Sequence, residues 1–162
     1  MASSTFDDPA ENPLSEGGAW QSGPGAFDNV QKTGGNAKGA TTGANAGRHS
    51  TAHNSDHSSE VTLGIITSGD GGPLTRIQGT GASQGDCYLC DLIPGDANVQ
   101  IYRVDDTGTL SYVALGAAIN LGLPAENDAY KLDSAGNTHT ASKNGGAGTS
   151  RTDATYTGGA PG

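Results

Sequence analysis

Between Ser59 and Thr109, short segments that alternate apolar and polar residues are separated by clusters of Gly, Asp and Pro. Val61, Leu63 and Ile65 fall on one face of an extended segment, and Arg76-Ile77 follows the break Gly69-Asp70-Gly71-Gly72-Pro73. Asn98 to Val104 runs into a turn at Asp105-Asp106-Thr107-Gly108 and resumes at Leu110. Side chains alternate across a strand with period two, so these runs predict strands over 59–66, 74–79, 86–92, 98–104 and 109–115. Two more are predicted at 128–133 and 138–143, joined by Ser134-Ala135-Gly136-Asn137. Asn144-Gly145-Gly146 reads as a further turn, because Asn-Gly readily takes positive φ. Upstream, 27–31 and 36–41 form a short pair around Thr33-Gly34-Gly35, and Thr42 to Ser58 reads as a polar loop. Ala117 to Leu123, ending at Pro124, fits either a helical turn or a strand. No segment of about 11 residues holds a 3.6-residue period. The pattern predicts one all-β domain over residues 1–162, a two-sheet antiparallel jelly-roll sandwich.

Composition refines that picture. The chain has 162 residues, of which 27 are Gly and 33% are apolar. That apolar share lies below the ~45–50% usual for globular domains, so the core is lean and the connections are long. Charged residues make up 15%, too few for a highly charged disordered chain. Eight basic residues stand against seventeen acidic ones, for a net charge of −9, and the basic residues are scattered. Such a surface repels a phosphate backbone, which argues against nucleic acid as a partner. No apolar run approaches the roughly 20 residues of a membrane helix, so membrane insertion is not expected. The first residues, Met-Ala-Ser-Ser-Thr-Phe-Asp-Asp, lack the basic and apolar parts of a secretory signal. A protein made in a cytoplasm and delivered by assembly or lysis is the favoured expectation, with an extracellular location as the alternative.

Particular residues carry a resemblance. Ala10-Glu11-Asn12-Pro13-Leu14, followed by Gly17-Gly18-Ala19-Trp20, resembles the opening motif of concanavalin A-like (laminin-G-like) jelly-roll domains. Asp128-Ala129-Tyr130-Lys131-Leu132, then Gly136 to Thr140, then Lys143-Asn144-Gly145, are similar to that fold's paired strands and their Asn-Gly turn. Many such domains occur in phage and other virion proteins and in secreted bacterial proteins. The chain departs from the pattern in two places. Pro9 and Ala10 stand where the family continues Phe6-Asp7-Asp8 with an aromatic and an Arg. The family also has one more strand after the segment matching Thr157 to Gly162, so the resemblance implies a sheet edge left unpaired.

Candidate chemistry is sparse. His49, His53 and His57 recur every four residues beside Asp56, a spacing that would stack three imidazoles for zinc on a helix. The residues between them favour caps and loops, and on a loop the spacing carries no geometric promise, so no metal site is expected. Cys87-Tyr88-Leu89-Cys90 has CxxC spacing without a second pair or a following helix. On a strand, residues three apart lie about 10 Å apart on opposite faces, beyond the ~7 Å reach of a disulfide. Both thiols are therefore expected free. Glycosidases of this fold set acidic residues in alternation on one strand, whereas Glu11, Glu16, Glu60 and Glu126 have no such partner. No nucleophile elbow is present either, so no catalytic residue is expected.

The remaining readings concern binding and assembly. Trp20, Tyr88, Tyr102, Tyr112, Tyr130 and Tyr156 could stack on sugars, and loop aspartates could hold calcium, but buried aromatics more often pack a core. Tyr102 lies opposite in phase to Val99 and Ile101, which places it outward, so Trp20 and Tyr102 are the candidate glycan contacts. The leading expectation is a non-enzymatic structural protein that needs no cofactor. It would work by assembly with its own copies or other virion proteins, as a capsid decoration or fibre component. The alternatives are a lectin-like carbohydrate-binding module for surface glycans and a subunit of an extracellular filament or coat. Thr5, Phe6, Thr155, Tyr156 and Thr157 are the candidate subunit-interface residues, because an unpaired edge strand is a template for another chain.

Overall fold

The computed structural model describes residues 10–15, 18–23, 25–50, 53–64, 70–78, 85–158 and 162. Among them lie thirteen strands and no α-helix. In chain order these are β1 (Trp20–Ser22), β2 (Val30–Thr33), β3 (Asn36–Gly39), β4 (Gly47–His49), β5 (His57–Thr62), β6 (Leu74–Thr75) and β7 (Cys87–Leu92). They continue with β8 (Asn98–Asp106), β9 (Leu110–Ala114), β10 (Ile119–Asn120), β11 (Ala129–Ala135), β12 (Thr138–Lys143) and β13 (Thr149–Thr152). One main sheet runs β10-β8-β7-β6 with β9 also paired to β8, and the other runs β13-β12-β11-β5. β1 with β4, and β2 with β3, make two small sheets, and every strand pairing is antiparallel. The all-β sandwich predicted from the alternation is the fold observed.

Alternation explains the layer between the main sheets. Tyr88, Cys90, Leu92, Val99, Ile101, Leu115 and Ile119 point from the first sheet toward Tyr130, Leu132 and Ala141 of the second. β11 and β12 also turn Ser134 and His139 inward, both at 0% exposure. Their polarity is matched by hydrogen bonds: Thr75 Oγ1 to Ser134 Oγ is 2.7 Å, and Ser134 Oγ to His139 Nδ1 is 2.8 Å. A sequence poor in apolar residues thus closes a core by pairing its buried polar groups instead of leaving them orphaned.

A second cluster lies on the opposite face of the first sheet, where Cys87, Leu89, Val104 and Leu74 meet Phe27, Ala46 and Ile77. β7 is consequently buried on both sides from Cys87 to Cys90, with each thiol in a different cluster. Both cysteines are free, as strand geometry requires.

Several expected boundaries are corrected. Residues 42–58 are not all loop: they contain β4 and the start of β5, and His49, His53 and His57 lie in one row of neighbouring rings. The buried side chain in β4 is Arg48, satisfied by Gln21 Oε1 at 3.0 Å from Nε, so no apolar alternation advertised that strand. β6 is far shorter than 74–79, because Arg76 takes φ 54°, which no strand accepts. Of the expected pair at 27–31 and 36–41, the first strand starts later, at Val30, while Phe27 packs in the core ahead of it. Ala117 to Leu123 holds the two-residue strand β10 and no helical turn. Asp105 and Asp106 end β8 and are not part of a turn; β1 and β13 were not foreseen. Asn144 and Gly145 have φ of 51° and 68°, the positive pair that an Asn-Gly hairpin turn demands. Ile65, Ile66 and Gly79, expected in strands, lie outside the described residues.

Candidate functional site

Strand register decides which side chains share the outer face of the first sheet. Directly opposed residues in antiparallel strands lie on the same face. Leu89 opposes Tyr102 and Asp91 opposes Gln100, while Tyr102 opposes Ala114 and Val104 opposes Tyr112. One end of this face is covered by Phe27, Ala46 and Ile77. Away from that cover, Asp91, Gln100 and Tyr102 are half-buried, and Tyr112 and Ala114 on β9 are exposed. Leu89, 9% exposed, forms an apolar floor between them.

The two tyrosines set the character of this surface. Their ring centroids lie 5.8 Å apart with the planes at 82°, an edge-to-face pair. Tyr102 is packed against the second core cluster, which fixes its ring, whereas Tyr112 is 44% exposed and presents an aromatic surface outward. Burial pushes the Tyr112 hydroxyl above its ordinary value, so it stays protonated and can donate.

Asp91 stands beside this pair as the polar group. An isolated bridge joins Gly71 to Leu92, with Leu92 N–H donating to Gly71 O at 2.9 Å, and it brings Asp70 next to β7. Burial, with the negative charge of Asp70 added, pushes the Asp91 carboxyl up to about 6. Gln100 Nε2 donates to Ile101 O at 3.0 Å, which anchors its side chain on the sheet. An exposed ring, a hydroxyl, a carboxyl and an amide on one face can stack on a sugar's apolar side and hydrogen-bond its hydroxyls.

The other expected site residues fall elsewhere. Trp20, on β1, opposes His49 on β4, their rings 6.0 Å apart and edge-on. Tyr88 and Tyr130 are fully buried and serve the core. Tyr156 is half-buried against that core; its N–H donates to Tyr88 Oη at 3.0 Å and its hydroxyl to Asp105. Arg103 completes this knot, donating from Nε to Asp105 at 2.8 Å and from Nη1 to Asp153 at 3.1 Å. Burial works against the Asp153 carboxylate, but hydrogen bonds from Tyr88, Thr155 and Arg103 hold it down to about 2. Glu60 and Glu126 are both exposed.

At the expected terminal edge, some backbone groups have partners within the chain. Tyr156 O accepts from Arg76 Nη1 at 2.8 Å, and Gly162 exchanges two backbone hydrogen bonds with Leu74 at 2.8 and 3.0 Å. These backbone groups are satisfied within the chain. Thr155 and Thr157 are exposed, with Thr155 Oγ1 accepting from Arg103 at 3.3 Å; Thr5 and Phe6 lie outside the described residues.

Asp91 and Gln100 escaped sequence reasoning, because their proximity arises from cross-strand register. The signal available in the chain was the outward phase of both residues relative to Cys90 and Ile101. Among the described residues, no group of three or more His, Cys, Asp or Glu is placed to hold a metal ion.

Comparison with known proteins bears on the fold. No family model matches the chain, and no curated protein matches it. Among solved structures, a carbohydrate-binding module, CBM66 from Bacillus subtilis, is similar with a TM-score of 0.66 at 16% identity. The match covers 88% of this chain and 84% of the other. At that identity, the likeness establishes a shared β-sandwich fold.

Proposed function

We propose that this protein is a non-catalytic carbohydrate-binding module whose binding surface is the uncovered end of the first sheet. The observation that carries the reading is the outward-facing Tyr102–Tyr112 pair beside Asp91 and Gln100. Tyr112 supplies the stacking surface, Tyr102 braces it, and Asp91 and Gln100 offer directional bonds to hydroxyls. The sandwich shared with a module named for binding carbohydrate supports the same reading. An assembling structural role is the weaker reading, since Tyr156 and Gly162 are bonded within their own chain.

Glycan-array screening followed by calorimetry on the best oligosaccharide tests the proposal. Tyr112→Ala should weaken binding by about tenfold or more, equivalent to about 1.4 kcal/mol, with an unchanged circular-dichroism spectrum. Binding to no glycan, or binding indifferent to Tyr102→Ala and Tyr112→Ala, would reject it.

A further inference from the structure

The row of histidines on the N-terminal side of the molecule is not used by the proposed glycan face. His49 lies on β4 and His53 follows it, with ring centroids 5.3 Å apart at 69°. His53 Nε2 and His49 Nδ1 face each other at 3.4 Å. Trp20 packs edge-on against His49 and His57 packs beside His53, so both rings are held from outside the pair. We infer that His49 Nδ1 and His53 Nε2 form a two-imidazole binding site for zinc or a similar late transition-metal ion.

The distance is the first argument. Two Zn–N bonds of about 2.0–2.1 Å at a tetrahedral angle place their nitrogens about 3.4 Å apart. The facing nitrogens already stand at that separation, and rotation of the rings aims both lone pairs at one ion. Chemistry is the second argument: neutral imidazole suits zinc, copper and nickel and is a poor ligand for calcium or magnesium. In the free pair one facing nitrogen carries a proton. On binding, that ring carries its proton on its other nitrogen, and both lone pairs turn to the metal without net proton release.

His57 does not supply a third ligand. Its Nε2 accepts from the Arg76 N–H at 3.0 Å, so Nδ1 holds the proton and donates to Asn54 O at 2.8 Å. Among the described residues no third His, Cys, Asp or Glu joins the pair, and water can fill the remaining metal positions. The cysteines are no competing site, since both thiols are fully buried on opposite faces of β7.

Titration of the full chain with zinc chloride against a chromophoric chelator tests the site. One zinc per chain is expected, with nuclear magnetic resonance shifts at the His49 and His53 rings. His49→Ala and His53→Ala should each weaken binding by at least the effect of losing a supporting partner, about tenfold or more. X-ray absorption of the zinc-loaded wild-type protein should show nitrogen and oxygen neighbours, a readout independent of how the variants fold. Absence of zinc binding, binding unchanged in both variants, or sulfur in the coordination shell would each overturn the inference.

Discussion

His139 shows how single residues hold this lean core together. Its ring stacks on Tyr88 at 3.7 Å, and Nε2 donates to Asp153 O at 3.1 Å, leaving Nδ1 to accept from Ser134. That arrangement requires a neutral ring, and burial pushes its pKa below the ordinary histidine value. A depressed histidine gives stability that is present above the unfolded value of about 6.5 and lost as pH falls through the folded one. Urea unfolding should therefore show a stability loss from pH 7.5 to 5 that is reduced in His139→Phe. At pH 7.5 the same variant should cost about 1–3 kcal/mol, since Ser134 and Asp153 O each lose a hydrogen bond to the ring. Equal pH slopes in the two proteins would contradict this role. Asp91 works with the opposite sign. Its carboxyl is raised to about 6, so its ionisation destabilises the fold as pH rises through that value. Asp91→Asn should raise the melting temperature at pH 8 and change it little at pH 4. An unchanged melting temperature at pH 8 would mean that Asp91 is not the crowded carboxyl described here.

At the scale of elements, two side chains attach what the strands alone do not. Arg76 ends β6 with its positive φ and, at 1% exposure, donates to Ser55 O at 2.9 Å, Tyr156 O at 2.8 Å and Gly136 O at 2.6 Å. It ties the approach to β5, the C-terminal segment and the β11–β12 turn to one point. Arg76→Lys has one compact cation where three directions are needed, and should cost about 3 kcal/mol or more in chemical denaturation. A loss below about 1 kcal/mol would show that the three carbonyls find other partners. Asp106 does the same for the N-terminal segments. Its carboxylate accepts from Ala26 N at 2.8 Å, Gly85 N at 2.9 Å and Gly108 N at 2.9 Å. A Cβ at Gly25 would stand 1.9 Å from that carboxylate, and Gly25 has φ of 60°, so glycine is required there on two counts. Asp106→Ala should speed hydrogen exchange at Ala26 and Phe27 while leaving β11 and β12 protected. Uniform loss of protection would mean that the N-terminal segments are not separately docked.

Across the whole molecule, legibility followed apolar patterning. β7, β8, β11 and β12 were readable, because each buries side chains in the layer between sheets or in the cluster behind it. β9 was readable from its apolar and aromatic residues after the Gly108 turn, although four of its five residues are exposed. β4 was not, because its inward residue is Arg48, and β13 was not, because Thr149-Ser150-Arg151-Thr152 contains no apolar residue to alternate. Of the candidate face, the outward phase of Tyr102 was legible from Val99 and Ile101. The position of Asp91 opposite Gln100 was not, since it depends on how β7 and β8 align. Trp20, the other expected contact, belongs to a small sheet and neighbours the histidine row. The resulting molecule has one sheet face closed against a second sheet, and an outer face half covered by N-terminal segments. Glycan contact through the uncovered half is the central claim, and an amide nuclear magnetic resonance titration with an array-selected oligosaccharide tests it most directly. Saturable shifts should concentrate at Asp91, Gln100, Tyr102, Tyr112 and Ala114; shifts confined to β11, β12 and β13, or none with any glycan, would contradict it.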